Sequence, residues 1–254
     1  MIRFAFINDL HYGQAGTSYS TEIPALITQL NALNLDFVIT GGDQTHNSLS
    51  AEAEGIVNQL NQLNVPWYWA YGNHDVGDDG LNTKLDEMGI NRTTPRVVNK
   101  DGFNIVIFHT SQNSQSVGRI ETSDLTWYQN TFDGDDTPNI VVSHHPTFIE
   151  PGREVYALAN KDDFISTLET YGNAKLVLSG HDHAVRYAVE QNDIIYQCGQ
   201  RSGGSTGYTK GYNIIAIDDE FNIFCYQYNY GQTVTPSDIV AGSAAKFNGT
   251  ITTN

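Results

Sequence analysis

Basic residues are scarce in this chain. Of its 254 residues only 13 are Lys or Arg, against 29 Asp or Glu, so the formal net charge is −16 and the pI is near 4.6. Nucleic-acid-binding domains usually carry a stripe of basic residues, and no cluster of Lys or Arg occurs here. We therefore expect no nucleic-acid partner, and the acidic excess is most simply a solubilising surface.

Cysteines and long apolar runs are also few. The two cysteines, Cys198 and Cys225, are too few for a disulfide framework, although they could form one bridge. No apolar run approaches the roughly 18 residues that a membrane helix needs, so no membrane partner is expected. Met1 is followed at once by a predicted strand, with neither a basic n-region nor an apolar h-region. No signal peptide is visible, and a cytoplasmic location is therefore expected.

What the chain does contain is a set of five polar turns, each placed directly after a short apolar run. The runs are residues 3–7, 36–40, 66–71, 139–143 and 175–179. They are rich in β-branched or aromatic residues, so each is predicted to be a buried strand. The turns that follow are Asp9-Leu10-His11, Gly42-Asp43, Gly72-Asn73-His74-Asp75, His144-His145-Pro146 and Gly180-His181-Asp182-His183. Because ligands of open α/β sheets bind at the carboxyl ends of strands, we expect one site.

The segments between these runs predict an α/β fold. Apolar residues recur at helical spacing within 23–33, 56–63, 125–128 and 164–168. The predicted helix starts are Ser20 or Thr21, the residue after Ser50, Ser123, and Asp162. Helical crossovers imply parallel strands in this part of the chain.

Beyond residue 185 the pattern changes to strands alone. Four runs, 185–190, 194–197, 212–218 and 222–228, are separated by short turns and predict antiparallel hairpins. Residues 1–230 are interpreted as one catalytic domain. Residues 231–254 are polar and nearly uncharged, so we interpret them as an extension, either an edge segment or a loose tail.

The residue types in the turns are those that bind transition metals. Carboxylates are supplied by Asp9 and Asp43, and Asn73 adds a neutral oxygen. The imidazoles come from His11, His144, His181 and His183. This mixed oxygen and nitrogen set suits Mn, Fe, Zn, Co or Ni better than Ca or Mg. A carboxylate such as that of Asp43 can bridge two ions, and two ions about 3.5–4 Å apart can clamp a phosphoryl group.

Two neighbours of these ligands are candidates for catalysis. His74 follows Asn73 directly and is itself free to donate a proton or a hydrogen bond. Asp75 could orient His74, as carboxylates commonly orient imidazoles around metal sites.

The five turns, in this order and spacing, resemble the motifs of the calcineurin-like metallophosphoesterase superfamily over roughly residues 1–190. The resemblance implies a four-layer α/β/β/α sandwich of two mixed β-sheets flanked by helices. It also implies two divalent or trivalent transition-metal ions, and a catalytic His74 near the leaving group with Asp75 behind it. The first ion would be held by Asp9, His11, Asp43 and His183. The second would be held by Asp43, Asn73, His144 and His181.

Four further residues near the motifs have open roles. His46 stands where many relatives have Asp or Asn, which makes it a candidate substrate contact. His109 ends the apolar run 105–108 and is either a substrate contact or a structural histidine. His145 is interpreted as shaping its loop, and Asp182 as facing away from the ions or supporting their ligands.

The segment Gly118-Arg119-Ile120, followed by Leu125-x-Trp127, resembles bacterial cyclic-nucleotide and glycerophosphodiester phosphodiesterases. This implies hydrolysis of a small phosphodiester by attack of a metal-activated water on phosphorus. The motif turns contain no Lys or Arg, which favours a diester over a monoester dianion. The alternatives are a phosphomonoesterase or nuclease using the same site, and a non-catalytic scaffold such as the retromer subunit of this fold. A scaffold would have no reason to keep His74 together with all the metal ligands.

Overall fold

The computed structural model describes residues 1–77, 80–111, 115–149, 151–183, 187–204, 210–230 and 251–253. The described helices are α1 Tyr19–Asn31, α2 Ser50–Leu60, α3 Leu81–Glu87, α4 Thr122–Phe132 and α5 Lys161–Thr170. The described strands are β1 Ile2–Ile7, β2 Phe37–Thr40, β3 Trp67–Trp69, β4 Arg96–Lys100, β5 Phe103–Ile107, β6 Pro138–Val142, β7 Asn173–Ser179, β8 Tyr187–Gln191, β9 Ile194–Cys198, β10 Gly211–Ile217, β11 Ile223–Asn229 and β12 Ile251–Thr253.

The strands form two mixed sheets. The first has the order β11-β10-β1-β2-β3, and the second has the order β12-β8-β9-β7-β6-β5-β4. Strands joined by helical crossovers, such as β1 and β2, pair in parallel. The later hairpins β8–β9 and β10–β11 are antiparallel, as predicted. The strand β12 lies at the edge of the second sheet, parallel to β8.

Successive side chains of a strand point to opposite faces of the sheet, so each sheet packs against the other sheet on one face and against helices on the other. In β1, Phe4 and Phe6 pack between the sheets, whereas Ala5 and Ile7 belong to the core beneath α1 and α2. The second sheet packs its outer face against α4 and α5 around Phe164. The α/β/β/α sandwich of two mixed sheets is thus confirmed. Among the described residues, no helix is long and apolar enough to cross a bilayer.

All four predicted helix starts are too late by one or more residues, and α2 begins at Ser50 itself, with Leu49 as its N-cap. The N-cap positions are Ser18 for α1, Glu121 for α4 and Asn160 for α5, and none of them forms a side-chain cap hydrogen bond. A preferred capping side chain is the sequence signal for a helix start, and these helices begin before the residues that carry it. The question of a disulfide bridge is settled as well, because Cys198 and Cys225 are both buried thiols that form no disulfide.

The topology brings the five motif turns to one edge of the sandwich. β1, β2 and β3 run in parallel in the first sheet, and β6 and β7 run in parallel in the second. Parallel neighbours end on the same side, so the turns after them meet.

Candidate metal centre

The predicted ligands converge in two groups that share Asp43. In each group, the possible ligand atoms lie within 4.8 Å of one another. The first group comprises Asp9, His11, Asp43 and His183. The second comprises Asp43, His144 and His181. The side-chain oxygen of Asn73 lies 3.3 Å from Nε2 of His144, which places it beside the second group.

The spacing within each group fits the ligand shell of a metal ion. Nε2 of His183 lies 3.1 Å from Nε2 of His11 and 3.1 Å from Oδ1 of Asp9. In the second group, Nε2 of His144 lies 3.1 Å from Nδ1 of His181. Bonds of about 2.0–2.2 Å to one tetrahedral or octahedral ion would separate neighbouring ligand atoms by about 2.8–3.6 Å. The residues present therefore fit a pair of transition-metal ions.

Hydrogen bonds outside the groups set the tautomers of two histidines. Nδ1 of His144 lies 2.9 Å from the carbonyl oxygen of Gly41, and Nε2 of His181 lies 2.8 Å from that of Ser116. A carbonyl oxygen only accepts, so each of these nitrogens carries the proton. The opposite nitrogens then present lone pairs to the second group, as is usual for metal-bound histidines.

Electrostatics at the centre favour a cation. Burial lowers the pKa of His11 to about 3 and that of His181 to about 4, so both imidazoles are neutral near pH 7, as metal binding would require. Burial opposes ionisation of Asp43, yet His144 and His11 hold the pKa of this carboxyl well below its usual range. Burial likewise opposes a charge on His144, but Asp43 outweighs it and raises the pKa of His144 to about 9. A bound ion would displace that proton, because a coordinating imidazole must be neutral.

Four of the predicted ligands adopt left-handed backbone conformations. The φ angles are 52° for Asp9, 45° for His11, 53° for Asp43 and 68° for His181. Such conformations are uncommon outside glycine and cluster at functional sites, where the surrounding structure holds them. Here the first two turns hold each other, because the amide of Asp9 donates to Gly42 and that of His11 donates to Asp43, each at 2.9 Å.

Two motif glycines are required by the close packing of the ligands. At Gly72, a Cβ would lie 2.0 Å from Oδ1 of Asp43. At Gly42, where φ is 103°, a Cβ would lie 2.3 Å from Nδ1 of His144. Any side chain at either position would displace a predicted ligand.

His74 lies beside both groups. Its amide donates to Oδ1 of Asp43 over 2.8 Å, which links its backbone to the shared carboxylate. Nδ1 of its half-buried ring lies 2.6 Å from the carbonyl oxygen of His46, so Nδ1 carries a proton. Nε2 is then the ring atom available for catalysis.

The predicted contact between Asp75 and the His74 ring requires correction. The fully buried Asp75 carboxylate accepts hydrogen bonds from the amides of Gln44, Thr45 and Gly72, at 3.2, 2.8 and 3.0 Å. Asp75 closes the short 3₁₀ turn at 73–75, and its carboxylate binds the loop after β2. Burial, reinforced by Asp43, raises the pKa of Asp75 to about 6. The carbonyl of His46 orients His74 instead.

Asp75→Ala should therefore destabilise the fold. The substitution leaves three buried amides without acceptors, and each such loss costs about 1–3 kcal/mol. We expect urea unfolding to give a free energy of unfolding lower by about 3 kcal/mol or more. The exposed Asp133→Ala is the matched control and should change it by less than about 0.5 kcal/mol. An Asp75→Ala protein of unchanged stability, with only kcat reduced, would restore the idea that Asp75 serves His74.

The structure locates the residues with open roles. Nδ1 of His46 lies 3.3 Å from Nδ1 of His11, so its ring adjoins a predicted ligand. The half-buried His109 packs against Tyr71, at 5.2 Å between ring centroids, and its substrate contact stays a prediction. His145 is buried, with Nδ1 2.8 Å from Oγ1 of Thr110.

One residue near the site was missed by the sequence analysis. Arg153, in the loop after β6, forms a bidentate ion pair with the buried Asp182, with Nε 2.8 Å from Oδ2. Its guanidinium lies 5.0 Å from the ring centroid of Tyr156, and that ring lies 5.6 Å from the ring of His181. No motif marks Arg153, but a buried carboxylate between two histidine ligands signals that a cationic partner is needed.

Comparison with known proteins agrees with this geometry. The family model described as calcineurin-like phosphoesterase matches residues 2–185. A probable cyclic nucleotide phosphodiesterase from Synechococcus sp. is 24% identical over 192 residues, covering 72% of this chain and 73% of the relative. A 3′,5′-cyclic-nucleotide phosphodiesterase from Nostoc sp. is 24% identical over 193 residues, covering 72% and 71%.

A solved structure shows the same fold. It is a dimetal phosphatase from Danio rerio, with a TM-score of 0.68 at 12% identity, and the match covers 90% of this chain and 96% of that one. The family match spans all five motif turns and both ligand groups. The chain therefore belongs to the calcineurin-like phosphoesterase family and is a hydrolase that acts on phosphate esters.

Proposed function

We propose that this protein is a dinuclear metal-dependent phosphodiesterase that hydrolyses small phosphodiesters, with cyclic nucleotides or glycerophosphodiesters as substrates. The observation that carries the proposal is the pair of ligand groups sharing Asp43, with His74 beside both. The names of the similar Synechococcus and Nostoc proteins favour cyclic nucleotides.

The charge of the ligand set suits an anionic substrate. Two bound ions of Mn, Fe, Zn, Co or Ni would polarise the phosphoryl oxygens and lower the pKa of a bound water. Asp9 and Asp43 are the carboxylates in the set, so two divalent ions would leave a net charge of about +2. Asn73 contributes a neutral oxygen and preserves that positive charge.

His74 is placed to protonate the leaving group of a phosphate ester of an alcohol. The leaving alkoxide is a poor leaving group and must be protonated as the ester bond breaks. Nδ1 donates to the carbonyl of His46, so Nε2 is the atom that would face the leaving oxygen. The imidazolium form of His74 carries a second proton on Nε2 and would give that proton to the leaving oxygen, which converts the ring to its neutral form.

Phosphomonoesterase activity is the second candidate, and one observation favours it. Arg153 is a cation near His181, and a monoester dianion needs one more positive charge than a diester. However, two nitrogens of the Arg153 guanidinium bind the two carboxylate oxygens of Asp182, so Asp182 already compensates the charge of Arg153. We therefore prefer phosphodiesters over phosphomonoesters as the substrates.

A substrate panel with added Mn²⁺ tests this choice. We expect kcat/KM for bis(p-nitrophenyl) phosphate to exceed that for p-nitrophenyl phosphate roughly tenfold, a difference of about 1.4 kcal/mol in transition-state binding. Cyclic nucleotides and glycerophosphodiesters in the same panel identify the natural class. An Arg153→Met variant should keep the diester preference, because the proposal gives Arg153 no contact with the diester.

Two outcomes would contradict the proposal. A preference for monoesters that is lost in Arg153→Met would assign the site to phosphomonoesters. Faster cleavage of single-stranded DNA than of any small diester would assign it to a nuclease.

A further inference from the structure

Each predicted histidine ligand has one ring nitrogen that faces the ion and an outer nitrogen that does not. The outer nitrogens do not all have the same kind of hydrogen-bond partner. His144 and His181 donate to the carbonyl oxygens of Gly41 and Ser116. His11 differs, because its Nδ1 faces Nδ1 of His46 at 3.3 Å. The two rings meet edge to face, with centroids 5.3 Å apart and planes at 75°.

The position of His11 decides which atom donates. Its Nε2 is the atom inside the first ligand group, 3.1 Å from Nε2 of His183 and 3.7 Å from Oδ2 of Asp43. A ligating Nε2 uses its lone pair for the ion, so the proton of a neutral His11 sits on Nδ1. Nδ1 of His46 must then accept, which places the proton of a neutral His46 on its own Nε2.

The backbone of His46 is anchored well enough to hold that ring in place. Glu52, a buried residue on α2, accepts from the amides of His46 and Asn47 at 3.1 and 2.7 Å. It also accepts from the side-chain amide of Asn47 at 2.8 Å. The loop after β2 is thereby tied to α2 through one carboxylate.

His46 also supports His74. Its carbonyl oxygen accepts the proton of Nδ1 of His74 over 2.6 Å. Its ring stacks on the ring of His74, with centroids 5.2 Å apart and an interplanar angle of 10°. One residue therefore contacts a predicted ligand through its ring and the proposed acid through its backbone.

We propose that His46 is a positioning residue whose neutral ring accepts a hydrogen bond from His11 and thereby aims Nε2 of His11 at the first ion. This role rests on the proposed dinuclear centre. Metal-bound histidines commonly donate their outer nitrogen to a carboxylate or carbonyl. An imidazole does the same work without adding a negative charge, so it preserves the positive charge that the ligand set leaves for an anionic ester.

The test compares His46→Ala with His46→Asn. His46→Ala removes the acceptor for His11 but keeps the carbonyl that serves His74. We expect the variant to bind two Mn²⁺ ions at saturation, with the affinity of one of them reduced roughly 10–100-fold, as found when such outer partners are lost. His46→Asn offers a side-chain oxygen to Nδ1 of His11 and should recover most of that affinity. The readout is isothermal titration calorimetry with Mn²⁺, together with metal content after dialysis.

His109→Ala is the matched control, because His109 packs against Tyr71 and lies outside every group of candidate ligands among the described residues. It should leave both Mn²⁺ affinities unchanged. If His46→Ala binds both ions as tightly as the parent, the positioning role is refuted.

A ligand role for His46 is the competing explanation, because His11, His46 and His74 also offer nitrogen atoms within 4.8 Å of one another. If His46→Ala loses one whole ion at saturation and His46→Asn fails to restore it, His46 is a ligand and the positioning role is overturned. If the parent itself binds fewer than two ions, the proposed dinuclear function fails first. The parent and the variants thus report on the two proposals separately.

Discussion

Asp43→Ala is expected to abolish tight binding of both metal ions and to lower kcat/KM for diesters about 10⁴-fold or more. Asp43 is the one residue common to both ligand groups, with Oδ1 3.4 Å from Nε2 of His144 and Oδ2 3.7 Å from Nε2 of His11. Its removal therefore takes a ligand from each ion at once. Metal ions supply several kcal/mol of transition-state stabilisation, which corresponds to a loss of this size.

The matched control is His183→Ala, because His183 belongs to the first group alone. Metal analysis after dialysis should find about one ion in His183→Ala and close to none in Asp43→Ala. Asp43→Asn serves as a second variant, since it keeps an oxygen to accept the amide of His74 and guards against a folding defect. Retention of one tightly held ion by Asp43→Ala would show that the carboxylate does not bridge. At most one ion in parent protein saturated with Mn²⁺ would remove the dinuclear centre altogether.

The convergence of the turns could be predicted from sequence because it depends on strands alone. Residues 37–40 and 176–179 are buried in the sheets, and a motif turn follows each of these runs. Once the crossovers make neighbouring strands parallel, the turn with Asp43 must lie on the same side of its sheet as the turn with Asp9, and the turn with His181 on the same side as that with His144. The alternation in β1 likewise determines which residues lie between the sheets. These features follow from the spacing of apolar residues along the chain, which can be read within a single segment.

The contacts between the turns could not be predicted, because they depend on loop paths that no local pattern encodes. Nδ1 of His74 meets the carbonyl of His46, 28 residues away, and Nδ1 of His144 meets that of Gly41, 103 residues away. The sequence therefore offered Asp75 as the partner of His74, although its carboxylate turns toward the amides of the preceding loop. The short helix α3 could not be predicted either, because its seven residues and uncapped start give too weak a local pattern.

His74→Asn is expected to slow the reaction according to the leaving group. For diesters of alcohols, such as cyclic nucleotides, we expect kcat to fall roughly 10²–10⁴-fold, the usual contribution of a positioned acid. Asparagine can still donate a hydrogen bond but cannot deliver a proton. p-Nitrophenolate needs little protonation, so bis(p-nitrophenyl) phosphate should lose less than roughly tenfold. Steady-state kinetics on the two substrates, with one enzyme preparation, measure the difference.

Metal content decides whether this comparison is valid. Nδ1 of His74 is engaged by the carbonyl of His46, and neither main ligand group includes His74, so both ions should remain in His74→Asn. If one ion is lost, His74 is a ligand and the kinetic contrast has another cause. If both ions remain and the two substrates slow equally, His74 stabilises charge in the transition state without transferring a proton. If neither substrate slows, His74 has no part in the mechanism.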